Sequence, residues 1–250
     1  GQVAVGRTWR QPANIAPRPV AAGQGLRGRP RMTSLAATRD AGRRDNHPMS
    51  QFWDDRFAEP GFKYGTQPNA FLREQAGVLA PCSRVLVPGD GEGRNGVWLA
   101  QQGHRVLSVD SSAVGLAKAA ALASERGVQL QTLQADLTQW QPPAASADAV
   151  ALVYVHLRPP MRTQVHRALA GALAPGGWLW IEAFHPDQLP LSSGGPKELP
   201  MLVTLQMLRD DFAGLLDEVL GVETRVLLDE GPGHQGWAAV TRWVGRRRDG

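Results

Sequence analysis

Residues 85–110 read V-L-V-P-G-D-G-E-G-R-N-G-V-W-L-A-Q-Q-G-H-R-V-L-S-V-D. A short apolar run meets three glycines at alternate positions, then a helical stretch, a second apolar run and a terminal acid. That order is the first half of a nucleotide-binding βαβ unit. Gly89, Gly91 and Gly93 lack a Cβ, so the turn can take positive φ and let a ligand lie close against the main chain. Asp110 follows the last apolar residue of the second run, with Ser111 beside it, where a carboxylate can accept hydrogen bonds from both hydroxyls of a ribose. A third strand-like run, residues 128–133, leads into Ala135-Asp136-Leu137, a second acid at a strand's carboxyl end and a partner for the exocyclic amine of adenine.

The glycine spacing speaks to the cofactor. A dinucleotide fingerprint is G-x-G-x-x-G, whereas this loop is G-x-G-x-G, and Gly96 restores the dinucleotide spacing only in a shifted frame.

These residues resemble the class I S-adenosylmethionine-dependent methyltransferases. The matches continue in order through Asp110, Asp136, a strand at 149–155 and L-A-P-G-G-W-L-W-I-E at 173–182, and cover residues 52–246. G-E-G-R-N-x-V-x-L-A at 91–100, F-W-D-D-R-F at 52–57 and Y-G-T-Q-P-N-A-F-L at 64–72 resemble the small-molecule branch that includes tellurite-resistance and thiopurine methyltransferases. The resemblance implies S-adenosyl-L-methionine as cofactor and a small nucleophile as acceptor: a thiol, a metalloid oxyanion or a heteroaromatic. It implies a Rossmann-like α/β three-layer sandwich whose seven-stranded, mostly parallel sheet ends in an antiparallel C-terminal strand. It also implies an N-terminal lid carrying Trp53, Phe57, Tyr64 and Phe71. One departure is Val87, which stands where many members carry an acid two residues before the first glycine, so that Asp90 is the nearest replacement.

The element order read from the chain agrees. Helices are expected at 68–79, 95–102, 113–126, 161–173 and 203–220, and strands at 84–87, 104–109, 128–133, 149–155, after Gly177, at 222–229 and at 236–244. Near-continuous apolar strands alternating with helices imply a parallel sheet covered on both faces. Residues 185–200, rich in Pro, Gly and Ser, read as a long loop.

Composition narrows the partners. Of 27 basic and 23 acidic residues, residues 1–48 hold nine arginines and two aspartates, which leaves 18 against 21 for the remainder. The net charge of +4 thus comes from a Pro/Gly-rich basic extension without apolar periodicity, expected to be disordered. The methyltransferase domain is expected over 49–250, with Ser50 as an N-cap. A nucleic-acid partner is not supported, because the basic charge lies in that extension and in Arg246, Arg247 and Arg248. The one cysteine, Cys82, excludes an intrachain disulfide. No apolar run approaches the roughly 20 residues of a bilayer span, and a soluble, cytoplasmic protein without a membrane partner is expected. Histidine spacing offers no metal site.

In an open α/β sheet ligands bind beyond the strands' carboxyl ends, which assembles the glycine loop, Asp110, Asp136 and residues 154–156. Cofactor contacts are expected from Tyr64, Gly89, Asp90, Gly91, Gly93, Arg94, Asn95, Asp110, Ser111, Ala135, Asp136, Leu137, Tyr154 and Val155. Arg94 can meet the cofactor's carboxylate, or a surface acid. Tyr64 can place its ring against the sulfonium, a cation-π contact worth ~1 to 2 kcal/mol when desolvated. Base candidates are His234, His185 and His156, each also explicable as a turn or loop histidine. An NAD(P)-dependent oxidoreductase is the rival enzyme, disfavoured because neither tyrosine, Tyr64 or Tyr154, has a lysine four residues on. A non-catalytic S-adenosylmethionine-binding protein is the rival from another class.

Overall fold

The structure, a computed structural model, describes residues 49–249. The expected disorder of residues 1–48 lies outside the described residues. In chain order the elements are α1 (Met49–Phe57), α2 (Ala70–Gln75), β1 (Arg84–Pro88), α3 (Arg94–Gln101), β2 (Arg105–Asp110), α4 (Ala113–Glu125), β3 (Gln131–Gln134), β4 (Ala147–Val153), α5 (Met161–Ala172), β5 (Leu173–Phe184), α6 (Leu205–Phe212), β6 (Asp217–Asp229) and β7 (Gln235–Arg246). The strands form one seven-stranded sheet in the order β3-β2-β1-β4-β5-β7-β6. All neighbours from β3 to β5 are parallel, and β7 runs antiparallel between β5 and β6. Helices surround the sheet in the expected Rossmann-like α/β arrangement.

The centre of the sheet is the core. Val85, Leu86 and Val87 of β1 and Ala149, Val150 and Ala151 of β4 are buried, as strands covered on both faces must be. The order reverses between β1 and β4, because β1 leads outward to β2 and β3 while β4 begins the other wing. The carboxyl ends of β1 and β4 therefore border a crevice, the topological switch point where ligands bind in such sheets.

Several boundaries differ from the sequence expectation. The helix foreseen at 68–79 starts at Ala70, because Asn69 is its N-cap and accepts from the Leu72 amide, while Pro68 stands outside. Ser50 lies within α1 and does not precede it. β5 begins at Leu173, and the Pro175-Gly176-Gly177 stretch sits inside it at an irregularity opposite β4. Val128 and Leu130 are packing residues ahead of β3: they lie against Val97, Leu122 and Ala123.

The largest difference is at 203–220. Its helix ends at Phe212, Gly214 turns with φ of 74°, and Asp217 already opens β6. β6 is a sheet edge exposed at most of its positions, so its first residues, 217–221, carry no clean alternation by which the strand's early start could be read.

Candidate functional site

The loop between β1 and α3 is held in place from beneath. Gly89 donates to the Val109 carbonyl, 2.6 Å, and Gly91 N donates to Asp110 Oδ2, 2.8 Å. Gly89 has φ of 66°, and a Cβ there would come 2.4 Å from Val155 Cγ2, so only glycine serves. Asp110 Oδ1 accepts from Ser112 N at 2.8 Å, and Ser112 caps α4. Each carboxylate oxygen of Asp110 thus takes one backbone bond and keeps a further lone pair for a ligand. Burial raises its pKa, countered in part by those amides. Asp54 of α1 accepts from the Ser112 hydroxyl at 2.6 Å and from Val114 N at 3.2 Å, which docks the N-terminal helix over this end of the crevice.

Asp90 lies at the cavity and is also engaged beneath the loop. Its carboxylate receives the Ser108 hydroxyl and the Gly96 amide beneath the loop, so it braces β1, β2 and α3 against one another. Burial, only partly offset by those two bonds, raises its pKa to about 7. An acid whose folded pKa lies above its ordinary 3.8 destabilises the fold progressively as pH rises from about 4 to about 7. Asp90→Asn removes that dependence, so its melting temperature is expected to gain on the wild type's more at pH 8 than at pH 5. A difference between the two proteins that does not change with pH would overturn this account.

The other end is a buried polar network. Asn69 Nδ2 donates to Glu182 Oε1 and to Glu230 Oε1, both at 3.0 Å. Glu182, at the end of β5, also receives the Tyr154 hydroxyl and Arg242 Nε. Glu230, where β6 ends, pairs with Arg94 Nη2 at 2.9 Å. Burial pushes the Glu230 carboxyl up, but His234 and Arg94 outweigh it and hold it at about 2. Two carboxylates face two guanidiniums, and Arg94 Nη1 has no partner despite being buried. A buried unpaired N–H costs about 1–3 kcal/mol, more on a charged group.

Between these ends lies a cavity of about 380 Å³, within the range of small-molecule sites. Of the residues expected at the cofactor, Tyr64, Gly89, Asp90, Gly91, Arg94, Asn95, Asp110, Ser111, Asp136, Leu137, Tyr154 and Val155 line it. Gly93 and Ala135 do not. Gly93 sits behind the loop, where a Cβ would be 2.5 Å from that of Ala119, and Ala135 N bonds the Asp110 carbonyl. Asp136 Oδ1 accepts from the amide and hydroxyl of Thr138. Asn95 Oδ1 accepts from Asn69 N, so its side-chain oxygen positions the neighbouring segment.

Of the three histidines, His156 and His234 line the cavity and His185 does not. His185 caps a short turn, its Nδ1 accepting from Asp187 N at 3.1 Å and its Nε2 standing 3.6 Å from Glu223. His234 packs against Tyr64 at 4.5 Å and Tyr154 at 4.6 Å between ring centres, and burial lowers its pKa. Its turn is fastened to the N-terminal segment by Gly233 N donating to the Lys63 carbonyl, 2.8 Å. Phe52, Trp53, Arg56 and Phe57 of α1 complete the wall. Among the described residues no group of His, Cys, Asp or Glu could hold a metal ion, and no helix is long and apolar enough to cross a membrane.

Sequence reasoning missed Asn69, Glu230 and Arg242 as parts of the site. Asn69 had a local signal, the Pro-Asn-Ala start of a helix; Arg242 had none.

The glycine loop, the paired acids at the ends of β2 and β3 and the antiparallel C-terminal hairpin are the arrangement of class I S-adenosylmethionine-dependent methyltransferase domains, and imply S-adenosyl-L-methionine as cofactor. Residues 85–177 match the family model described as a methyltransferase domain. Over 65 residues the chain is 46% identical to thiopurine S-methyltransferases of Pseudomonas putida, a match covering 24% of this chain and 30% of those proteins. Solved structures share the fold. TehB from Haemophilus influenzae is 16% identical with a TM-score of 0.59, over 80% of this chain and 67% of that one. The N-methyltransferase NodS from Bradyrhizobium japonicum, solved with S-adenosyl-L-homocysteine, is 17% identical with a TM-score of 0.59, over 79% and 97%. A structure described under the conversion of a disulfide bond into a thioacetal group during echinomycin biosynthesis is 22% identical with a TM-score of 0.63, over 81% and 92%.

Proposed function

We propose that this protein transfers a methyl group from S-adenosylmethionine to a small-molecule nucleophile, a thiol or heteroaromatic compound in the first instance. The observation that carries the reading is the pairing, across one cavity, of Asp110 with lone pairs to spare and Arg94 with an unpartnered guanidinium N–H. Those are the groups that a ribose diol and an amino-acid carboxylate require. When bound, the cofactor supplies a methyl group already activated by a sulfonium.

The protein's own part is to bind, orient and exclude water. Asp110 and Ser111 hold the ribose; Asp136 and Leu137 hold the adenine, with the Asp136 carboxylate toward its amine. The backbone at Gly89 and Gly91 lies against the cofactor, and Arg94 receives its carboxylate. Tyr64, Tyr154 and the aromatic residues of α1 enclose the reacting end. His156 and His234, whose pKa values burial lowers, are the groups available to an acceptor's proton. The likeness to thiopurine S-methyltransferases supports beginning the acceptor screen with heteroaromatic thiols.

The test is calorimetric titration with S-adenosylmethionine, S-adenosylhomocysteine and NADH in parallel. Saturable binding of the two sulfur compounds is expected. Binding of NADH alone would overturn the reading in favour of hydride transfer.

A further inference from the structure

His156 stands on the cavity wall just past β4, and the structure fixes which of its ring nitrogens carries the proton. Nδ1 lies 3.1 Å from the Met201 carbonyl oxygen. A carbonyl can only accept, so Nδ1 carries the hydrogen and Nε2 is left as a bare lone pair. Nε2 is buried and has no hydrogen-bond partner. The ring stacks on Phe184 at 5.6 Å and 21°, and Phe184 stacks in turn on Tyr154 at 4.6 Å and 24°. His234 meets the edge of both Tyr154 and Phe184. The acceptor side of the cavity is therefore an aromatic wall carrying two ring nitrogens without a hydrogen-bond partner: His156 Nε2, and His234 Nδ1, which stands 3.6 Å from Glu230. The charged side chains of the lining are elsewhere or already engaged: Arg94 with Glu230, Glu198 with Arg158, and Lys197 with the Leu191 carbonyl.

We infer that His156 sets the acceptor specificity of this cavity, its Nε2 receiving a hydrogen bond from a neutral, planar molecule that carries an N–H or O–H donor. The inference rests on the proposed methyltransferase reading and narrows it. A flat ring gains from the Tyr154, Phe184 and His156 faces, and its donor relieves a buried acceptor that otherwise costs free energy. An oxyanion meets the opposite, a lone pair aimed at lone pairs within apolar walls, so a metalloid oxyanion is excluded from this position. Burial lowers the His156 pKa to about 4, so the ring offers no proton to an anion at neutral pH. The Met201 carbonyl sets this preference from the far end of the loop that follows β5. A donor in its place would reverse the tautomer.

Indole and benzofuran are matched in size and shape and differ in the N–H, so they are the probes. Their dissociation constants are measured by NMR titration, with and without saturating S-adenosylhomocysteine, together with the nitrogen-15 shift of His156 Nε2. Indole is expected to bind about 10-fold tighter than benzofuran and to move the Nε2 resonance, which benzofuran leaves in place. His156→Phe is expected to equalise the two probes while retaining affinity for S-adenosylhomocysteine. The nitrogen signal of the wild type decides the matter if that variant does not fold. Equal binding of the probes with an unmoved Nε2 resonance would overturn the inference. A failure of S-adenosylhomocysteine to bind, with the indole preference intact, would instead sink the methyltransferase reading and leave the role of His156 standing.

Discussion

Asp110→Ala is expected to weaken S-adenosylhomocysteine binding by about 100-fold or more in calorimetric titration. The proposed contact is two hydrogen bonds from ribose hydroxyls to an ionised carboxylate, each worth about 1.5–3 kcal/mol, and about 1.4 kcal/mol is tenfold in affinity. The same carboxylate accepts from Gly91 N and Ser112 N. Its loss therefore also releases the glycine loop and the start of α4, and a lower melting temperature is expected. Asp110→Asn separates the two effects. The amide offers one oxygen in place of two and turns N–H groups toward one of the existing donors, so an intermediate loss of affinity is expected. An unchanged affinity in Asp110→Ala would remove this residue from the cofactor site.

The half of the site around Asp110 was legible in the sequence because its code is local. Gly89, Gly91, Asp110 and Asp136 follow the ends of successive parallel strands, and the fold alone carries each strand end to the same crevice. The other half is assembled across distance. Arg94 meets Glu230 from 136 positions away, and Asn69 meets Glu230 from 161. No spacing rule joins residues so far apart, and Glu230 reads in the sequence as an ordinary turn acid. His156 and His185 show the same limit. Both follow apolar strands directly or nearly so, yet one lines the cavity, its Nε2 buried without a partner, and the other caps a turn. What separates them is the carbonyl of Met201 against the amide of Asp187, which only tertiary packing reveals. The β6–β7 pair was legible as a hairpin, but the early start of β6 was not, because an exposed edge carries no burial pattern to read.

Arg94→Met tests whether the distant half of the site belongs to the cofactor. In the wild type, Glu230 is held at about 2, below its ordinary 4.5. Its contribution to stability is therefore present above about pH 4.5 and lost as pH falls toward 2. Removing the guanidinium leaves a buried carboxylate without its ion-pair partner, a loss of about 3–5 kcal/mol of the kind seen when one member of a buried pair is deleted. His234 and Asn69 Nδ2 still face Glu230 in the variant, so its pKa is expected to rise from about 2 toward the ordinary 4.5, and the stability it contributes above that range to shrink. The double variant Arg94→Met/Glu230→Gln removes the stranded charge, and much of the lost stability is expected to return. Affinity for S-adenosylhomocysteine is not expected to return with it, because the N–H that would meet the cofactor's carboxylate is still missing. That contact is worth about 1.5–3 kcal/mol, or roughly 10- to 150-fold in affinity. If binding recovers along with melting temperature in the double variant, Arg94 acts only through the fold and another group must receive the carboxylate.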